Sequence, residues 1–183
     1  MSLTALVPIA DGSEEIETVA IVDTLVRAGI TVTLASVTDS VTVKCSRGIS
    51  INADAKIPDV VGKEFDCIAV PGGMPGAESI GKCEPFVNLL KAHVAAGKVY
   101  GAICAAPAVC LLPNGLLPDG APATCHPGFA AKLPSCSEER VVKAGKLITS
   151  RGPGTAIEFA LALITELLGE DKAAAVGGPM LVK

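Results

Sequence analysis

A chain of 183 residues that is 50% hydrophobic and only 19% charged has the size of one domain and ample apolar surface to offset the entropy of ordering it, which excludes a disordered protein. Aromatics make up 3%, with no Trp and one Tyr, so Ala, Val, Ile and Leu must fill the core. Fifteen Lys plus Arg against nineteen Asp plus Glu leave a net charge of −4, and without a basic block a nucleic-acid binder held by phosphate contacts is excluded.

In chain order, short and nearly continuous apolar runs alternate with helical patterns. Leu3–Pro8, Ile30–Ser36, Cys67–Val70 and Val99–Ile103 read as strands buried on both faces. Glu14–Ala28 reads as a helix, with Ile16, Val19, Ala20 and Val26 at helical spacing and Gly29 as its stop. Val41–Cys45 and Ile49–Ile51 form a hairpin about Ser46–Arg47–Gly48. Phe86–Ala96 is a second helix closed by Gly97, and the spacing turns its His93 toward solvent. Arg140–Lys143 and Leu147–Thr149 flank a turn at Ala144–Gly145, and Thr155–Leu168 is a third helix whose Thr155 and Glu158 make a T-x-x-E capping box. No linker or repeat divides the chain, so residues 1–183 form a single domain. Alternating β and α with buried strands predicts an α/β, flavodoxin-like three-layer sandwich with a mostly parallel central sheet.

Despite the mean hydropathy of +0.53, the longest apolar stretch, Gly101–Leu112, is about half the ~20 residues a spanning helix needs, and Pro107 interrupts it. No Lys or Arg precedes Arg27, so a charged leader is lacking. The expectation is a cytoplasmic protein with no membrane association. Seven cysteines, none in a CxxC, with only two histidines, give little support to a disulfide framework or a zinc site, so most thiols are expected to be inert and buried, and no metal is expected.

In such a sheet the reactive crevice lies beyond the carboxyl ends of the strands, which directs attention to Ala10–Glu17, Pro71–Gly76, Cys104–Pro107 and His126–Gly128. Cys104 ends the strand VYGAI, and Ala102 and Ala106 flank it at −2 and +2. These are the small neighbours of a nucleophile elbow, and a following helix would lower the thiol pKa. Pro71–Gly72–Gly73 is either a plain turn or an oxyanion hole whose amides approach a ligand. Glu14 and Glu15 suit a helix N-terminus, while Glu17 has the same bland reading and, from its position, a catalytic one. His126, after a short strand ATC, is either structural or a proton carrier. No Walker A loop and no G-x-G-x-x-G after the first strand are present, so a phosphate-bearing cofactor has no support.

Taken together, GSEEIETV, KCSRGI, AVPGG, GAICAAP, CHPG and ITSRGPGTAIEFAL resemble the ThiJ/PfpI superfamily, and within it the DJ-one-like deglycase branch with its bacterial relatives. The resemblance implies a homodimer with its reactive cysteine at Cys104, an acidic partner at Glu17 and a nearby histidine at His126. It places oxyanion-type donors on the backbone of Gly72, Gly73 and Ala105, a second notable cysteine near the interface at Cys45, and arginines of the pocket and interface at Arg47 and Arg27. Ala105 stands where protease-like members carry a histidine, and the His-x-Glu of glutamine amidotransferases is absent, so neither activity is expected. The implied activity is a glyoxalase without cofactor that turns a small 2-oxoaldehyde such as methylglyoxal into a 2-hydroxy acid, with a related deglycase activity. The alternative is an oxidative-stress sensor or redox-regulated chaperone that uses the same cysteine without turnover.

Overall fold

A computed structural model describes residues 2–182. Its main sheet has the order β5–β2–β1–β6–β7–β9–β8, built from β1 (Thr4–Ile9), β2 (Thr31–Ser36), β5 (Ala55–Lys56), β6 (Cys67–Val70), β7 (Val99–Ile103), β8 (Val141–Ala144) and β9 (Leu147–Ser150). All neighbours pair in parallel except β8, which runs antiparallel to β9. A separate hairpin joins β3 (Thr42–Lys44) to β4 (Ser50–Asn52). Helices α1 (Glu15–Arg27), α4 (Ala156–Leu168) and α5 (Glu170–Gly177) pack together on one face, while α2 (Gly76–Lys82), α3 (Glu84–Ala95) and the irregular helical turns of residues 107–114 pack together on the other. This is the three-layer α/β sandwich expected. Among the described residues, no helix is long and apolar enough to cross a membrane.

The strands form where the apolar runs predict, because strands covered on both faces must be apolar at every position. Every residue of β6 and β7 is buried. The helices depart from their sequence pattern in instructive ways. In α1, Ile16, Val19 and Val26 are 58%, 55% and 54% exposed, whereas Glu15, Glu17, Thr18, Ile21, Thr24 and Leu25 are buried. The apolar periodicity therefore marks the outer face. The inner face carries carboxylates at its first turn, where it meets the strand ends.

His93 also departs from expectation. It is buried, and its Nε2 lies 2.7 Å from the Val99 carbonyl oxygen, a hydrogen bond that joins α3 to the start of β7. The expected capping box does not form either. Thr155 Oγ1 turns to the Gly152 backbone, and Glu158 is drawn to the guanidinium of Arg140 at 2.6 Å. An ion pair to the neighbouring hairpin replaces the local cap.

Chain order and sheet order diverge at β1. The chain leaves β1 toward β2, then returns to place β6 on the other side. That reversal opens a crevice at the carboxyl ends of β1 and β6, and β7 lies beside it. Close packing behind the crevice leaves no slack. A Cβ on Gly101 would stand 2.8 Å from the Ile148 carbonyl oxygen and 2.8 Å from the ring of the fully buried Phe159. Gly101→Ala is expected to destabilise the fold by ~1–3 kcal/mol through overpacking, read as a lower urea midpoint with an unchanged slope.

Candidate active site

Register sets the first part of the site. Val70 of β6 pairs with Ala102 of β7, so two residues further on Gly72 and Cys104 stand side by side. The approach is close enough that a Cβ on Gly72 would lie 2.5 Å from the Cys104 Cβ and 2.8 Å from Glu17 Oε2. Only glycine fits there. Cys104 has φ of 64°, the left-handed conformation that costs a residue bearing a Cβ ~1–2 kcal/mol. The chain is held in it by a hydrogen bond from the Cys104 amide to the Ser150 carbonyl at 3.0 Å and one from the His126 amide to the Cys104 carbonyl at 2.8 Å. Strain fixed from both sides is how an elbow presents its side chain to a crevice.

Glu17 enters from the opposite wall. The Glu14 side chain caps α1 by accepting from the Glu17 amide at 2.8 Å, which turns the first helical turn inward. The Glu17 side chain is fully buried; its Oε2 accepts from the Gly72 amide at 2.7 Å, and its Oε1 has no hydrogen-bond partner. Burial is the main cause of a carboxyl pushed up to about 7, opposed by the Gly72 amide and the Cys104 thiol and aided by the charge of Glu14. Burial and the adjacent Glu17 carboxylate push the Cys104 thiol up to about 12, against the pull of the Gly73 and Ala105 amides.

The expected lowering of this thiol by a following helix is thus overturned. Beyond Cys104 the chain makes an irregular turn at Pro107–Leu111 and a tighter one at Leu112–Asn114, not a long α-helix whose aligned dipoles oppose the carboxylate. Two neighbouring acids in one dry pocket cannot both ionise. The pair instead shares one proton, with sulfur as acid or as thiolate according to where the proton lies.

The remaining expected residues divide. Gly72 does not offer its amide to a ligand, because Glu17 occupies it. The Gly73 and Ala105 amides face the sulfur instead. His126 lies at the rim with an exposed ring, and an isolated bridge, not a strand, precedes it. Its Nδ1 accepts from the Gly128 amide at 3.1 Å, so a neutral ring carries its proton on Nε2. The ring edge and Glu17 Oε1 both approach Gly152, at 3.6 Å and 4.0 Å from where a Cβ would be. Gly152 was not singled out from sequence, although it comes after β9, the strand beside the elbow, and the strand-end rule points to it.

Arg47 and Arg27 are exposed, and neither side chain hydrogen-bonds to Cys104 or Glu17. The Arg47 amide binds Glu15 at 2.8 Å, and Arg27 pairs with Asp23 at 2.7 Å near the far end of α1, about 15 Å along the helix from Glu17 at 1.5 Å per residue. Cys45 is buried and pushed up to about 11, first by burial and then by Glu15, Glu14 and Asp11. That setting disfavours the thiolate expected of a redox-sensitive residue. Among the described residues, no three His, Cys, Asp or Glu side chains converge as a metal site requires.

A flavodoxin-like sandwich with a strained cysteine at a strand end and a buried carboxylate against it defines a class of α/β proteins built around a cysteine–carboxyl pair. A model of the DJ-1/PfpI family matches residues 3–166, and the chain belongs to that family. It is 47% and 42% identical to Arabidopsis thaliana Protein DJ-1 homologs A and B over 97% of its length, yet spans only 45% and 41% of theirs. It is 39% identical to the Caenorhabditis elegans Glutathione-independent glyoxalase DJR-1.2, covering 93% of this chain and 91% of that one. The structure of oxidized Toxoplasma gondii DJ-1 superposes with a TM-score of 0.96 at 46% identity, over 98% of each chain.

A raised carboxyl pKa carries a stability signature. Unfolded Glu17 titrates near 4.5 and folded Glu17 near 7, so between these values the folded state holds the extra proton. Stability is therefore highest below pH 4.5 as far as this group is concerned and falls as pH rises to 7, by a total of about 3 kcal/mol. Glu17→Gln is expected to gain stability relative to the unaltered chain across that window, read as urea midpoints at a series of pH values.

Proposed function

We propose that the protein is a glyoxalase that needs no glutathione and converts small 2-oxoaldehydes, methylglyoxal above all, to 2-hydroxy acids. The observation that carries this reading is the Cys104–Glu17 pair: a nucleophile in contact with a carboxyl that titrates near neutrality, able both to take and to return a proton. The name of the C. elegans relative agrees with it.

The chemistry balances without an external redox partner. Cys104 sulfur attacks the aldehyde carbon while its proton passes to Glu17, and the Gly73 and Ala105 amides meet the oxyanion. Glu17 returns that proton to the oxyanion, and the resulting hemithioacetal loses the proton on its carbon to the Glu17 carboxylate, which delivers it to the neighbouring carbon through an enediol. The aldehyde carbon is thereby oxidised to a thioester and the ketone carbon reduced to an alcohol. Water then cleaves the C–S bond, releasing lactate and restoring the thiol. Glu17 Oε1, buried without a partner, is the free oxygen for the carbon proton, and His126 Nε2–H stands at the rim to steady the second oxygen. Deglycase activity would use the same hemithioacetal chemistry on adducts of these aldehydes.

A second reading, peroxide sensing through Cys104, draws on the same protonated Glu17, which would donate to a sulfinate and halt oxidation there. The oxidized state named for the T. gondii relative favours keeping it.

The working unit is proposed to be a homodimer formed on the outer face of α1. Ile16, Val19 and Val26 are exposed there, and Val19, Val22 and Val26 line a groove of about 310 Å³ that continues onto Leu34 and Ile51. An exposed apolar stripe beside such a groove is the mark of a partner surface.

Three experiments test these readings. With pure protein and methylglyoxal, without glutathione, lactate is expected to form and to vanish in Cys104→Ala. Glu17→Gln should lower kcat by at least ~100-fold, as expected for a lost acid–base group, while still allowing Cys104 sulfinate under peroxide. No lactate from fully reduced protein would leave sensing as the function. For the dimer, Val19→Glu is expected to shift the chain from the dimer to the monomer position in light scattering.

A further inference from the structure

We propose that Cys125 and Cys136 form a second redox site, separate from Cys104, that closes reversibly to a disulfide when a hydroperoxide oxidises Cys136. The two sulfurs lie 3.9 Å apart, and both cysteines are free. Their exposures are complementary. Cys136 is half-buried and reachable from solvent, while Cys125 is 1% exposed. An accessible thiol backed by a sheltered one is the arrangement of a peroxidatic and a resolving cysteine.

The backbone holds the two segments side by side. Ala123 bridges Cys136 in parallel, the Ser137 amide donates to the Ala123 carbonyl at 2.8 Å, and Thr124 Oγ1 donates to the Ser137 carbonyl at 2.8 Å. Along an extended segment alternate side chains share a face, so Cys125 lies on the Ala123 side, toward Cys136. Bonding requires the sulfurs to approach to about 2.0 Å. The Cys136 segment lies outside the sheet, with Pro134 and Ser135 exposed, so the approach is a local adjustment that leaves β7 and β9 undisturbed. Burial, and after it the neighbouring Cys136, push the Cys125 thiol up to about 12 against the pull of the Arg151 charge, which leaves the accessible Cys136 as the sulfur that meets the peroxide and Cys125 as the one that resolves it.

The reaction is balanced by the peroxide alone. Cys136 thiolate attacks one peroxide oxygen, the O–O bond breaks, and a sulfenic acid and water form. Cys125 sulfur then attacks the sulfenic sulfur, the S–O bond breaks, and a second water leaves, with two thiols oxidised and one peroxide reduced. The site rests on no assumption about Cys104 chemistry. It is nonetheless adjacent to that chemistry, because Cys125 directly precedes His126, whose amide holds the Cys104 carbonyl.

The chain supplies its own assay, because Lys132 separates the two cysteines for trypsin. The full-length protein is treated with hydrogen peroxide, its free thiols are alkylated, and it is digested without reduction. The expected product is the peptide 133–140 linked to 99–132, two hydrogens lighter than their sum, released by dithiothreitol. The link is expected to persist in Cys104→Ser and to be lost in both Cys125→Ser and Cys136→Ser. In the unaltered protein, dithiothreitol after peroxide should return two of the seven thiols in denaturant, a count that needs no variant to fold. The proposal is overturned if peptide 133–140 is recovered alkylated or as an unlinked sulfinate or sulfonate, if the link survives in Cys125→Ser, or if dithiothreitol returns no thiols.

Discussion

A single buried carboxyl organises the molecule's reactive end. Glu17 leaves water completely and receives one amide hydrogen bond, from Gly72, less than a buried carboxylate needs to stay charged at its ordinary pKa. The shortfall is stored as a raised proton affinity. Its upkeep requires several other features: Glu14 must cap α1 to turn Glu17 inward, residue 72 must lack a Cβ, and Cys104 must sit in a left-handed conformation to meet the carboxyl. The cap stabilises its helix, whereas the glycine and the left-handed cysteine cost stability locally, and the all-apolar strands behind them supply the rigidity that keeps them in place. Strain of this kind collects where a fold does chemistry.

The seven cysteines show how environment separates residues that are identical in sequence. Cys67 and Cys110 are fully buried among apolar neighbours and pushed up to about 12, mainly by burial, which makes them packing groups. Cys45 faces three carboxylates. Cys104 faces one carboxyl that can itself be neutral, and amides that favour a thiolate. Cys125 and Cys136 have each other's sulfur for a neighbour. Reactivity is set by the surroundings of each sulfur, and most of those neighbours are distant in the chain.

That distance explains how far the sequence could be read. Strands β1, β2, β6 and β7 were legible because burial on both faces leaves an unbroken apolar signature, and the Cys104 elbow was legible because its small neighbours lie within two residues. The inward face of α1 was not. Its buried set includes Glu15 and Glu17, held by Ser46, Arg47 and Gly72, partners 31 to 55 residues away, while the visible stripe of Ile16, Val19 and Val26 faces outward. His93 was misread for the same reason, since its acceptor belongs to the next strand. Thr155 and Glu158 fit a local cap, yet Arg140 offers Glu158 a bidentate charged partner, which is worth more than a cap bond. Gly72 was recognised as a close-approach glycine, but which group its amide would face depends on a helix from the other side of the switch point. The proximity of Cys125 to Cys136 leaves no sequence trace at all.

The two margins of the main sheet bear on how this apolar chain survives in company. One margin is β5, only two residues long, too short to template a foreign strand. The other is β8, which carries Lys143 outward, where it and Lys146 of the turn both pair with Glu166 of α4. A short margin and a charged, tethered one give an incoming strand little to extend. A protein that is half hydrophobic can therefore expose the apolar outer face of α1 while closing its backbone to indiscriminate aggregation.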